Sequence, residues 1–128
     1  PIKKISTKEF PGYPTDLQAQ LIATQLKTGL KSKVVENIFE NRFIHIPELR
    51  RFGANLSIKG KTVTIDKTSD LLGAEVMATD IRASFSLIIA AMMSKGKTVI
   101  NRIYHLDRGY EDFDLKLKKC GVNISRKK

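Results

Sequence analysis

The 128-residue sequence has no tryptophan, one cysteine, two histidines, three tyrosines and four prolines. The single thiol, Cys120, excludes a disulfide framework and a cysteine-ligated zinc site, and it fits a reducing compartment. His45 and His105 stand without carboxylate or cysteine partners at metal-ligand spacing, so each reads as a structural or solvated residue. No metal and no cofactor is expected. Long apolar runs are also missing. The longest, Leu87 to Met93, is seven residues, whereas a membrane span needs roughly 20. Pro1 to Phe10 is rich in lysine and has no apolar stretch, so no secretory leader is expected and the chain reads as cytoplasmic, with no membrane partner. A glycine-rich phosphate loop and a Gly-x-Ser-x-Gly elbow are absent, which removes P-loop and serine-hydrolase chemistry.

What the chain does have is the composition of one ordinary globular domain, 41% hydrophobic and 28% charged. Twenty-three basic against 13 acidic side chains give a net charge of +10 and a pI near 9.9. Both halves share the excess, so it forms no detachable basic tail. Such a surface attracts nucleic acid, acidic lipid or phosphorylated metabolites. Sixteen of the 23 cations are lysines, however, and a lysine excess also serves solubility alone.

A pattern recurs along the chain. Thr15-Asp16-Leu17-Gln18-Ala19 returns 64 residues later as Thr79-Asp80-Ile81-Arg82-Ala83. Leu49-Arg50-Arg51-Phe52-Gly53-Ala54-Asn55 returns 68 residues later as Leu117-Lys118-Lys119-Cys120-Gly121-Val122-Asn123. Shared order at near-equal offset marks an internal repeat, with units over 1–70 and 71–128. The first unit reads β-α-β-α-β-β. Ile2–Ser6 and Lys33–Phe39 are expected strands. A helix starts at Thr15 with Gln18 at capping-box spacing and runs to about Leu26. Pro47 opens a short helix. Asn55–Ile58 and Thr62–Asp66 flank a hairpin turn at Lys59-Gly60-Lys61. The second unit is expected to hold strands Ala74–Ala78, Thr98–Ile103 and Val122–Ser125. It also holds a helix Asp80–Ser94, apolar nearly all round and so buried on most faces, with Met92 and Met93 in the core. An amphipathic helix Gly109–Cys120 follows, with Cys120 on its apolar face and Asp112–Lys116 and Asp114–Lys118 pairs on its wet side. The second unit lacks a closing strand, which something outside the chain would supply.

Three places join a helix start to charged groups: Pro14-Thr15-Asp16, Thr79-Asp80-Ile81-Arg82 and Asp107-Arg108-Gly109-Tyr110. Free N–H groups and the positive dipole end bind anions there, and arginine adds a bidentate grip on carboxylate or phosphate. Asp16 or Asp80 alone would be an ordinary first-turn carboxylate, and Arg82 or Arg108 alone an ordinary surface cation. Placement at matching ends of repeated units lets them converge on one site. Glu40-Asn41-Arg42, after a strand, adds further polar groups.

Four blocks of residues carry a resemblance. They are Phe10-Pro11-Gly12-Tyr13-Pro14-Thr15-Asp16-Leu17-Gln18-Ala19-Gln20; Phe39-Glu40-Asn41-Arg42-Phe43; Val76 to Ser84; and Arg102 to Glu111. In order and spacing they resemble the C-terminal part of the UDP-N-acetylglucosamine 1-carboxyvinyltransferases, the enolpyruvyl transferase family of peptidoglycan synthesis. The resemblance implies an α/β fold, the inside-out α/β barrel (α-β prism) with helices inside and sheets outside. Here it would be two βαβαββ-like units, the second without its last strand. It further implies that the chain is the rear portion of a larger transferase. The implied reaction moves the enolpyruvyl group of phosphoenolpyruvate to the 3-hydroxyl of UDP-N-acetylglucosamine by addition, then elimination of phosphate. On that likeness Asp16 accepts the hydroxyl proton and contacts the sugar nucleotide. Ile38 binds the sugar nucleotide through its backbone. Arg82 and Arg108 hold the groups derived from phosphoenolpyruvate, with Arg108 counted with Asp16 as catalytic. Asp80, Glu40 and Arg42 line and order the cleft.

The family's catalytic cysteine lies on a loop of its other domain, and Cys120 does not occupy that position. The family's Lys-Asn pair and loop arginine are likewise missing. The chain alone is therefore expected to have no turnover. Its implied partners are the two substrates and the N-terminal remainder of the enzyme. It is also expected to self-associate as a homo-oligomer through an apolar flank of its helical core. Two rival readings remain. One is the 3-phosphoshikimate enolpyruvyl transferase, which shares the fold but fits the Phe39–Phe43 and Asp107–Glu111 blocks less well. The other is a basic nucleic-acid-binding βαβαββ module, disfavoured because no aromatic pair clusters on one strand to stack bases.

Overall fold

Strand β1 (Lys4–Ser6) runs parallel to β2 (Ser32–Val35), and the chain between them crosses over through helix α1 (Gln18–Gln25), entered by a 3-10 turn at Thr15–Leu17. The computed structural model describes residues 4–9, 11–27, 31–38, 43–67 and 70–126. Helix α2 (Ile46–Arg50) follows, with Pro47 in its first turn, where a missing N–H costs nothing. Strands β3 (Leu56–Lys59) and β4 (Thr62–Ile65) form a hairpin. Its turn needs a left-handed residue, which Gly60 supplies at φ 59°. Strand β4 also pairs antiparallel with β2, so the sheet order is β1-β2-β4-β3. Strand β5 (Glu75–Met77) and β6 (Val99–Asn101) form a second, parallel pair around the crossover helix α3 (Ile81–Met93). Helices α4 (Tyr104–Gly109) and α5 (Phe113–Lys119) come last.

Side-chain alternation explains the layers. Val34, Val63, Ile65 and Leu56 point inward from the first sheet and are buried, as is Val76 from the second. They share one continuous core with Ile22 and Leu26 of α1, Ile46 and Leu49 of α2, Phe52, and Leu87 and Ala90 of α3. Helices α1 and α3 pack on each other. Both carry buried small residues, Ala19 and Ala23 on α1 and Ala83 and Ala90 on α3, which suits close packing of the two helices. A second cluster, Ile88, Leu106 and Phe113, fastens α4 and α5 to the outer side of α3. Phe52, fully buried, illustrates the scale: removing such a ring costs about 3–5 kcal/mol.

Several sequence expectations are corrected. The Thr15–Gln18 capping box does not form: the first turn is 3-10, and no side chain caps α1. The strand expected over 33–39 ends at Val35, because Glu36 turns inward and takes the N–H of Ile38, which curls the chain out of the ladder. Phe39 lies outside the described residues. The helix expected over 109–120 is shorter, α5 alone, and a separate helix not expected there, α4, precedes it. Gly109 ends α4 instead of opening a helix, and Asp112, at φ 48°, interrupts the helical phase before α5. Arg108 therefore stands in the last turn of α4, at a carbonyl end that suits a cation, and not before a helix N-terminus. Residues 122–126 form no strand. Asp114 pairs with Arg126 rather than with Lys118. Helix α3 is covered by the main core through Leu87 and Ala90 and by α4 and α5 through Ile88, but a strip stays open: Met92 is 45% exposed, and Phe85, Ile89 and Met93 are partly covered. Cys120 is exposed, because it follows the last turn of α5, where nothing packs over it.

Candidate active site

The carboxyl ends of both parallel strand pairs point to the starts of the two crossover helices, the usual place for a site in sheets of this kind. The backbone geometry is the same in both: the Thr7 N–H donates to Val35 O at 2.8 Å, and the Ala78 N–H donates to Asn101 O at 2.9 Å. The Thr-Asp that opens each helix nevertheless ends differently. The Asp80 carboxylate accepts the Ala83 N–H at 2.8 Å and so caps its own helix. The Asp16 carboxylate caps nothing. It accepts from Nε of Arg82 at 2.6 Å, joining the two helix starts.

A second carboxylate, Glu36, binds the side chains of this helix start. This carboxylate is buried, 3% exposed, at the end of β2. Its Oε1 accepts from the hydroxyl of Thr15 at 2.6 Å and from Nε2 of Gln18 at 3.1 Å. Its Oε2 accepts from the hydroxyl of Thr7 at 2.7 Å and from the Ile38 N–H at 3.0 Å. The Asn37 N–H donates to the Thr7 hydroxyl, and the Asn37 side chain donates to Thr7 O. Burial by itself would push the Glu36 carboxyl up, but the four donors outweigh it and hold the group below its ordinary range.

Arg108 is placed through its neighbour. A side chain at Gly109 would meet the Cγ2 atom of Ile81, so only glycine lets α4 come this close to the start of α3, one residue from Arg82. Arg108 itself borders a hollow lined by Asp107, Gly109, Glu111, Asp112, Asp114, Leu115 and Arg126. Neither Asp16 nor Arg82 lines that hollow. Arg126 bridges Asp107 and Asp114 and lies over the ring of Phe113, 5.2 Å from its centroid. Its hydrogen bonds hold both carboxyls below their ordinary range.

The expected site residues thus divide into groups. Asp16 and Arg82 are in contact, and Asp80 lies two residues before Arg82 at the same helix start; Arg108 is not brought to them, since the hollow it borders is lined by neither Asp16 nor Arg82. Ile38 lies just past the end of β2, and its N–H donates to Glu36. Glu40 and Arg42 lie outside the described residues. Among the described residues there is no group of three or more His, Cys, Asp or Glu side chains that would hold a metal ion, and no helix long and apolar enough to cross a membrane. Sequence reasoning missed Glu36 and Arg126. Glu36 did leave a signal: it shares inward parity with Ser32 and Val34, so it is a charge on the buried face of a strand. Arg126 left none that the sequence alone discloses.

Comparison with known proteins places this arrangement. Residues 3–117 match the family model of the EPSP synthases (3-phosphoshikimate 1-carboxyvinyltransferases). A relative from Rhodopseudomonas palustris (strain TIE-1), named UDP-N-acetylglucosamine 1-carboxyvinyltransferase, is 57% identical over 122 residues, 95% of this chain and 28% of the relative. One of the same name from Pelagibacter ubique (strain HTCC1062) is 56% identical over 122 residues, 29% of its length. The chain thus spans less than a third of these relatives. The crystal structure of the enolpyruvyl transferase NikO from Streptomyces tendae superposes with a TM-score of 0.87 at 27% identity, covering 97% of this chain and 29% of that one. With a helix-to-helix carboxylate–guanidinium contact at the ends of two parallel strand pairs, and matches of this extent, the chain has the enolpyruvyl transferase fold and belongs to the EPSP synthase (3-phosphoshikimate 1-carboxyvinyltransferase) family.

Proposed function

We propose that this chain is the C-terminal part of a transferase that moves the enolpyruvyl group of phosphoenolpyruvate to the 3-hydroxyl of UDP-N-acetylglucosamine, a step of peptidoglycan synthesis carried out in the cytoplasm. The observation that carries the substrate assignment is the 57% identity, over 95% of the chain, to a relative of that name. The site supports it with a carboxylate free of capping duty beside a guanidinium.

In this reading Asp16 removes the proton of the sugar hydroxyl as its oxygen attacks C2 of phosphoenolpyruvate, and an acid protonates C3. The tetrahedral adduct then loses phosphate from C2 and a proton from C3, which restores the double bond. Arg82 and Arg108 hold the carboxylate and phosphate, where planar guanidinium groups bind best. Arg82 starts from Asp16. Both side chains are about half exposed or more, 47% and 63%, and such pairs are worth only about 0.2–1 kcal/mol. An arriving substrate anion therefore draws Arg82 away at little cost and leaves Asp16 free to take a proton. The N–H of Ile38 is occupied, so the group it offers a sugar nucleotide is its carbonyl oxygen. The acid and the remaining cations come from the rest of the enzyme, and residues 1–128 alone give no turnover.

The test replaces the matching segment of the Rhodopseudomonas palustris relative by residues 1–128. Phosphate release should require both UDP-N-acetylglucosamine and phosphoenolpyruvate and should collapse in Asp16→Asn. Release with 3-phosphoshikimate in place of the sugar nucleotide, or full activity in Asp16→Asn, overturns the reading.

A further inference from the structure

Four of the hydrogen bonds at the first strand-pair end converge on one side chain, Glu36. We infer that Glu36 is a positioning residue that sets two parts of the site at once: Oε1 fixes the segment presenting Asp16, and Oε2 fixes the peptide of Ile38. This rests on the proposed roles of Asp16 and Ile38 in sugar-nucleotide binding and proton transfer.

The geometry separates the two tasks. Thr15 and Gln18, both bound to Oε1, are the residue before Asp16 and the second residue after it. The turn between them cannot rotate without breaking one of these bonds, so the Asp16 carboxylate emerges in one direction. Thr7 and the Ile38 N–H, both bound to Oε2, tie the end of β1 to the residue that leaves β2. The peptide that enters Ile38 is thereby held from both sides, by Glu36 on the Ile38 N–H and by Thr7 on Asn37.

Comparison within the molecule shows that this anchor is not a general need of the fold. The hydrogen bonds Thr7 N–Val35 O and Ala78 N–Asn101 O match Thr7 with Ala78 and the residue after Val35 with the residue after Asn101. The counterpart of Glu36 is then Arg102, exposed and at φ 58°, and the counterpart of the Thr7 hydroxyl is a methyl group. The second pair folds without a buried carboxylate, and there Asp80 is spent on capping. At the first pair the anchor takes over the holding of the helix start, and Asp16 is left for Arg82 and for substrate.

The experiment uses the complete transferase carrying residues 1–128 in place of the matching Rhodopseudomonas palustris segment. Thr15→Val removes one donor to Oε1 and should lower kcat most, roughly 10²-fold for a displaced catalytic group, with KM for UDP-N-acetylglucosamine changing less. Thr7→Val removes one donor to Oε2 and should raise that KM roughly tenfold, the worth of one strong hydrogen bond, more than it lowers kcat. Glu36→Gln should show both effects. Thr15→Ser and Thr7→Ser, which keep the hydroxyl, should return each constant toward the parent value. Hydrogen exchange followed over residues 32–38 should speed up in Thr7→Val and Glu36→Gln. If the two valine variants shift kcat and KM in the same proportion, or lower only the melting temperature, the positioning role is overturned while the proposed function stands. An inactive parent with intact exchange protection overturns the proposed function, and this inference with it.

Discussion

Asp16 Oδ1 lies 2.6 Å from Nε of Arg82, across 66 residues of sequence. The two helices that carry them begin side by side, each at the end of a parallel strand pair, and the pair marks where those ends meet. A contact so exposed adds little to stability, which makes it separable from folding.

Arg82→Ala should therefore lower the free energy of unfolding by no more than about 1 kcal/mol. In the grafted transferase it should reduce kcat/KM for phosphoenolpyruvate by roughly 10²-fold or more, the usual worth of a charge-bearing transition-state contact. Urea denaturation read beside phosphate release separates the two effects. A loss of stability as large as the loss of activity would count against a substrate-binding role for Arg82.

Glu36 predicts a pH dependence of definite sign. Its folded carboxyl titrates below the ordinary value of 4.5. Its stabilising effect is thus fully present above that value and is lost as pH falls through the lower folded value. Parent protein and Glu36→Gln should differ most in unfolding free energy near pH 6–7, by about 1–3 kcal/mol for a buried carboxylate with its donors left short. The difference should shrink as pH falls below the ordinary value and close once the pH lies below the lowered folded value. A gap that stays constant with pH would show that Glu36 is not ionised in the fold.

How much of this was legible beforehand depends on whether the determining contact is local. The first sheet's elements, the hairpin at Gly60 and the limits of α3 follow from periodicity and turn chemistry within a dozen residues, and they were readable. The two Thr-Asp motifs look alike in sequence, yet their roles diverge because Glu36, 20 residues beyond Asp16, accepts from Thr15 in one and an arginine stands at its place in the other. Apolar spacing joined Tyr110 to Cys120 in one helix, but a left-handed Asp112 resets the phase, and Cys120 falls outside. Arg126 bridges α4 and α5 from beyond both, a long-range contact that no local pattern encodes.

Large apolar side chains remain uncovered: Leu72 is 60% exposed, Leu115 and Tyr104 52%, and Met92 45%. Clusters of such groups favour association. Residues 1–128 studied alone should give at least a dimeric mass by light scattering. Substituting Met92 and Leu72 together by lysine should shift the mass toward the monomer. A monomeric mass for the parent at high concentration would refute self-association.

Gly109 supplies the sharpest packing test. A Cβ atom there would stand 2.6 Å from Cγ2 of Ile81, well inside contact distance, and Cγ2 is fixed to a branched carbon that cannot swing away alone. Gly109→Ala should push the end of α4 off the start of α3, at a cost of about 1–3 kcal/mol for an overpacked contact. Arg108, one residue away, would move with it, so activity in the grafted transferase should fall further than stability. Ile81→Ala removes the obstructing atom, and Ile81 is itself 36% exposed, so that change alone should be mild. The double variant should then recover most of both losses, a positive coupling in a double-mutant cycle. Additive losses would mean that the approach of α4 to α3 is not what places Arg108.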